Sequence, residues 1–178
     1  MVGFVPDRYR GVGMRILFRL LIAALAAASF ASQAARAATA TSTFNVTLTI
    51  QSTCIVASAT DLAFGTQGVI SANLDAQSTI SVQCTNTTPY NIGLNVGNGA
   101  GATVAARKMT GPASATVTYS AYRDAARTLV WGQTIGTDTV AATGNGSAQP
   151  VTVFGRVPPQ TTPAAGAYSD ILTVTVTY

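Results

Sequence analysis

Residues 43–50 read Thr-Phe-Asn-Val-Thr-Leu-Thr-Ile, so Phe44, Val46, Leu48 and Ile50 alternate with small polar side chains. A period of two places all four on one face of an extended strand. The same alternation recurs down the chain. Ile55 and Val56 follow Cys54, and residues 79–84 put Ile80, Val82 and Cys84 on one face. Residues 90–96 do the same with Ile92, Leu94 and Val96, which makes them the expected sheet partner of 79–84. Residues 115–122 set Val117, Tyr119 and Ala121 on one side, and shorter stretches follow at 129–131 and at 151–157, the latter broken by Gly155 and ended by Pro158 and Pro159. The closing run, 171–178, is the most regular, with Leu172, Val174, Val176 and Tyr178 on one face and threonines opposite. Arg107, Lys108 and Met109 read as a short edge strand whose charges discourage edge pairing. Turn-forming residues at 61–65, 97–102, 123–127 and 136–149 separate these runs, with a brief pairing stretch at 139–141. About seven or eight short strands and no helix predict an all-β chain, an immunoglobulin-like β-sandwich.

The N-terminal part follows a different pattern. From Met14, Arg15 and Arg19 precede an apolar run over 20–28 and then the small residues Ala34, Ala35 and Ala37. That order of basic, apolar and small regions predicts a signal peptide over residues 1–37, with Met14 as an alternative start. The apolar run is too short for a spanning helix, which disfavours a retained anchor. Export leaves residues 38–53 as an N-terminal strand with a short linker and 54–178 as one domain. Of ten basic and six acidic residues in the 178, five basic and one acidic precede the cleavage point, so five of each remain. The mature chain is neutral, and the basic excess of the precursor is no evidence for nucleic-acid binding.

Composition narrows the chemistry further. The sequence has no histidine and no glutamate, which removes Ser-His-Asp, Cys-His and most zinc arrangements. Five scattered aspartates remain, and nothing brings two together as a glycosidase pair. Gly97, Gly99 and Gly101 lack the lysine and helix of a phosphate loop. Neither catalytic residue, metal nor cofactor is expected. Two cysteines in an exported chain point to one structural disulfide, Cys54 to Cys84. It is worth roughly 3 to 4 kcal/mol in the chain-entropy model. Arg123, Asp124 and Arg127 suggest a local ion pair, worth about 0 to 1 kcal/mol if exposed. Tyr122 and Trp131 read as core or rim packing, with a ligand-stacking surface as the alternative. The sequons at Asn45, Asn86 and Asn145 are assigned no role.

Several stretches, in order, resemble a known family. They are the alternating strand and cysteine from Phe44 to Cys54, Leu62-Ala63-Phe64-Gly65, Ile80-Ser81-Val82-Gln83-Cys84, residues 119–128 (Tyr-Ser-Ala-Tyr-Arg-Asp-Ala-Ala-Arg-Thr), Trp131-Gly132, Val153-Phe154-Gly155-Arg156-Val157, and Gly166-Ala167-Tyr168-Ser169-Asp170 before a Val/Thr strand. The chain is similar to the spore coat protein U domain family, which includes major subunits of archaic chaperone-usher pili. The resemblance implies an incomplete sandwich completed by a donor strand from a neighbouring subunit. It makes Phe44, Val46, Leu48 and Ile50 the donor anchors, and Leu172, Val174, Val176 and Tyr178 part of the acceptor cleft. It also implies a homopolymer, a periplasmic chaperone, an outer-membrane usher, a tip subunit, and passage through the periplasm to the cell surface, in support of adhesion and biofilm formation. The alternative is a secreted coat protein or adhesin-like binding module of the same fold.

Strand addition accounts for the same residues physically. It supplies main-chain hydrogen bonds, and pockets for alternate side chains set its register. Burying four large apolar side chains is worth roughly 6 to 12 kcal/mol before ordering costs. A head-to-tail contact of this kind does not close, so it builds a filament. The link between strand and body is only Gln51, Ser52 and Thr53, which discourages folding back.

Overall fold

The computed structural model describes residues 36–178; the signal-peptide expectation falls almost wholly on residues 1–35, outside the described residues. Residues 36–53 contain no helix or strand and are all exposed. An extended segment without a neighbour has no ladder to join, whatever its alternation.

From Cys54 onward the chain forms eight strands: β1 (Cys54–Ala59), β2 (Leu74–Cys84), β3 (Pro89–Leu94), β4 (Arg107–Thr110), β5 (Thr116–Tyr122), β6 (Val140–Thr143), β7 (Ala148–Val157) and β8 (Val174–Thr177). One short 3-10 turn, Pro112–Ser114, is the only helical element among the described residues. The strands build two antiparallel sheets, ordered β1-β2-β7-β5-β4 and β6-β3-β8. The expected all-β sandwich is therefore the fold.

Its core follows the alternation. Ile80, Val82 and Cys84 of β2 meet Tyr90, Ile92 and Leu94 of β3 in one buried cluster with Ala121, Trp131 and Val153. A second cluster joins Ile70, Val117, Tyr119 and Val157, and Leu172 packs against both. Trp131 is fully buried and its indole N–H donates to Ile92 O at 2.8 Å, so it packs in the core rather than offering a stacking surface. The 129–131 stretch contributes only a single bridge, Tyr122 to Val130.

Four expectations are corrected. β2 does not pair with β3 but with β1 and β7, while β3 pairs with β6 and β8. A turn at 85–88, with Thr87 at φ 65°, carries the chain from one sheet to the other. Two apolar faces placed opposite each other across a sandwich show the same alternation as two placed side by side. Gly155 does not break its strand either: β7 runs through it, because Leu62 and Phe64 fill the space a side chain would need. A Cβ at Gly155 would lie 2.7 Å from Leu62 Cδ2 and 2.9 Å from Phe64 Cζ.

β4 is an edge strand, but Arg107 does not guard it. Its side chain is wholly buried, and the guanidinium donates to Asn95 O (2.9 Å), Val104 O (2.9 Å), Leu94 O (3.2 Å) and Trp131 O (2.6 Å). These bonds tie the edge of one sheet to the end of β3 in the other. Burial pulls its pKa down, opposed by Tyr119, Asp170 and Asp138. Lastly, the side chains of Arg123, Asp124 and Arg127 form no ion pair among themselves. Asp124 accepts the amides of Thr128 and Leu129, and Arg123 donates to the carbonyls of Thr137 and Thr139. Arg127 reaches Asp75 at 3.3 Å. Arg156 binds both oxygens of Asp75 at 2.7 and 2.9 Å, and this bond with Arg127 beside it holds the carboxyl below the usual carboxylate range.

The Cys54–Cys84 disulfide is present. It joins two residues directly opposed in the β1–β2 register.

Candidate strand-acceptor groove

Among the described residues β1 hydrogen-bonds only to β2, and β8 only to β3, so each sheet ends in a strand with one free edge. These two edges lie beside each other. Cys54 is opposite Cys84, and Thr177 is opposite Asn91, a few residues beyond the 85–88 turn. The start of β1 and the end of β8 thus share one end of the sandwich, and the two strands run antiparallel. A strand laid between them is necessarily parallel to one and antiparallel to the other.

Between the chain that leaves β1 and the chain that approaches β8 lies a cleft of about 530 Å³. One wall is residues 59–64, with Leu62 and Phe64 turned inward; the other is residues 168–172 with Val174. The floor is Ile80, Leu94, Val153, Met109 and Tyr119, drawn from both sheets. Strand alternation places these side chains inward on every strand that borders the cleft.

Polar contacts fix the second wall. The Asp170 carboxylate accepts from Tyr119 Oη at 2.7 Å, from the Asn98 amide at 2.7 Å and from the Ile171 amide at 2.8 Å. Asn95 Oδ1 accepts the Thr173 amide at 2.8 Å, and Ser169 bridges to Thr110 of β4. Burial pushes the Tyr119 hydroxyl well above its ordinary pKa, reinforced by the bond to Asp170. It stays a neutral donor in a floor that is otherwise mostly apolar.

The residues singled out from the sequence fall as follows. Leu172 and Val174 line the cleft, and both pack against the core. Val176 packs against the same core lower on β8, whereas Tyr178 is 58% exposed and outside the lining. β8 itself is shorter than expected, since 171–173 bond to side chains and a loop instead of a strand. Phe44, Val46 and Leu48 are each 85% exposed and Ile50 is 76% exposed. Their apolar face is thus uncovered in the single chain. Sequence reasoning missed Leu62 and Phe64 as cleft residues, although their own i, i+2 spacing was visible inside the turn-rich segment. The pairing of Asp170 with Tyr119 carried no signal, because it joins positions far apart in sequence.

Among the described residues no group of three or more acidic, histidine or cysteine side chains is placed to hold a metal, and no helix is long and apolar enough to cross a membrane.

The comparisons with known proteins place a sandwich of this kind among pilus-type subunits. The model of the Spore Coat Protein U domain matches residues 40–175. The chain belongs to that family. It is 34% identical over 180 residues to Protein U of Myxococcus xanthus, covering 93% of this chain and all of that protein. Among solved structures it is similar to the CsuC–CsuE chaperone–tip adhesion subunit pre-assembly complex from archaic chaperone-usher Csu pili of Acinetobacter baumannii. That likeness has a TM-score of 0.54 and 27% identity, and covers 73% of this chain. The chain spans about 40% of the solved chain it matches.

Proposed function

We propose that this protein is a structural subunit of a surface pilus assembled by the chaperone-usher route, in which residues 43–50 of one copy fill the groove of the next. The observation that carries this reading is the pairing of two incomplete features in one chain. Four alternating apolar side chains stand exposed at 43–50, and an apolar cleft lies beside two free strand edges. Each supplies what the other lacks: β1 and β8 beside the cleft each keep an edge without a partner, and the segment has no ladder to join.

On this reading Phe44, Val46, Leu48 and Ile50 descend into the cleft, and Leu172 and Val174 contact them, with Val176 and Tyr178 continuing the edge. A periplasmic chaperone covers the groove before assembly, an outer-membrane usher drives the exchange, and a distinct tip subunit ends the fibre, which supports adhesion and biofilm formation. Residues 1–37 act as the export signal. The family membership and the likeness to a solved chaperone–tip adhesion subunit complex of an archaic pilus support the route. The full-length likeness to Protein U favours, as a second reading, a secreted coat protein of the same fold.

The test is a denaturing gel of surface material sheared from the producing cells, loaded with and without boiling. Strand-exchanged polymers resist detergent when cold because strand release is kinetically blocked. A ladder at multiples of the mature mass that collapses on boiling supports the pilus. A lone monomer band in both lanes, from cells that export the protein, overturns it in favour of the coat reading.

A further inference from the structure

The disulfide sits at the one point where a pull along the proposed fibre would enter the folded domain. We infer that Cys54–Cys84 is a mechanical clamp that routes tension past β1 and so keeps the groove closed on its neighbour under load; this rests on the strand-exchange reading above. The donor segment is joined to the body through Gln51, Ser52 and Thr53 alone. Thr53 is tied to Thr85 by two bonds, its amide to Thr85 Oγ1 at 3.1 Å and its carbonyl from the Thr85 amide at 3.0 Å. The next residue, Cys54, is the first of β1 and is covalently joined to Cys84 of β2.

β1 is poorly suited to bear load by itself. It has one neighbour, and its pairing with β2 slips between Val56 and Ser58. β2, by contrast, is held on both sides, and its register with β7 runs unbroken from Leu74 to Gln83. β1 and the chain that follows it also form one lip of the groove. A subunit pulled by its donor strand without the crosslink would therefore strip first the strand whose loss releases the preceding subunit's donor. With the crosslink, force passes from Cys54 directly into the doubly paired strand. The bond that stabilises the free subunit by constraining its unfolded chain thus has a second effect that appears only under tension.

The experiment pulls single assembled fibres at constant loading rate, before and after treatment with a phosphine reductant, with complete reduction verified by thiol alkylation and mass spectrometry. Reducing fibres after assembly avoids variants that fail to fold, and a Cys54→Ser/Cys84→Ser double variant is added where it assembles. The expected result is a lower rupture force in reduced fibres, with breaks between subunits, while the cold-gel ladder without load is unchanged. Equal rupture forces after complete reduction would overturn the proposal. So would reduced fibres that fall apart without load, since the disulfide would then act on static stability alone. Absence of a boil-sensitive ladder in oxidised material is a separate failure, that of the strand-exchange reading itself.

Discussion

Replacing Leu48 with Asp separates the proposed donor strand from any other use of the same exposed residues. In the single chain Leu48 is 85% exposed, so the substitution changes little in the folded subunit, and its effect is confined to whatever covers that face. If Leu48 enters a neighbour's cleft, the variant forfeits the burial of one large apolar side chain, about 1.5 to 3 kcal/mol. It also places a carboxylate against Leu94, Val153 and Leu172, at an effective cost of several kcal/mol. A combined loss of about 5 kcal/mol is between three and four orders of magnitude in affinity. The assay is the cold and boiled gel of surface material, with the variant expressed beside its chaperone and usher. The ladder should vanish while exported monomer remains. Thr47→Asp and Thr49→Asp, on the opposite face, should leave the ladder at near wild-type strength. A normal ladder from Leu48→Asp, or equal damage from all three variants, would refute the assignment of that face to the groove.

Three further outcomes follow from the fold. Arg107→Met removes a buried donor that satisfies four carbonyls, and the purified subunit should lose about 3 kcal/mol or more in denaturant unfolding, given the usual cost of each orphaned acceptor. Gly155→Ala sets a methyl against Leu62 and Phe64, so it should cost about 1 to 3 kcal/mol by overpacking, and Leu62→Ala in the same chain should recover part of the lost thermal stability. Tyr119 has its hydroxyl pKa raised in the folded state, so folding favours its protonated form. The resulting stability is complete below the unfolded tyrosine pKa of about 10 and is lost as pH rises through that value toward the higher folded one. Melting temperature should therefore fall above about pH 10, and Tyr119→Phe should flatten that decline.

What the sequence displayed well was everything that depends on a local period. Alternation at 80–84 and 117–121 located inward faces that the structure buries, that at 172–176 one that it half-buries, and the two cysteines found each other across one strand pair. What it hid was sheet membership. The alternation of Ile80 and Val82 with that of Ile92 and Leu94 fits equally a hairpin, where the two runs lie side by side, and an arch, where they face each other. Only the turn at 85–88 and the competing pairing of β2 with β7 decide between them. Gly155 misled for a related reason. In sequence a strand glycine marks either an interruption or a close approach, and the Leu62 and Phe64 that approach it come from more than ninety positions away.

The groove was half legible on the same grounds. Its β8 wall and the proposed donor residues announce themselves as period-two runs, because a strand that must bury one face keeps that face apolar whether its cover comes from its own chain or from another. The other wall, 59–64, and the Asp170 hub that holds β8's approach have no period, since each is fixed by contacts between distant segments. Arg107 is the sharpest instance. Beside Lys108 it looks like surface charge, yet its long stem lets the guanidinium pass beneath the sheet edge to carbonyls at the end of β3. A cation is tolerated there because four acceptors converge on it, and convergence of backbone carbonyls is a property of the fold that no single stretch of sequence records. The same holds for the uncovered edges of β1 and β8. Each strand reads as an ordinary sheet member, and their incompleteness is visible only once the order of all eight strands is known.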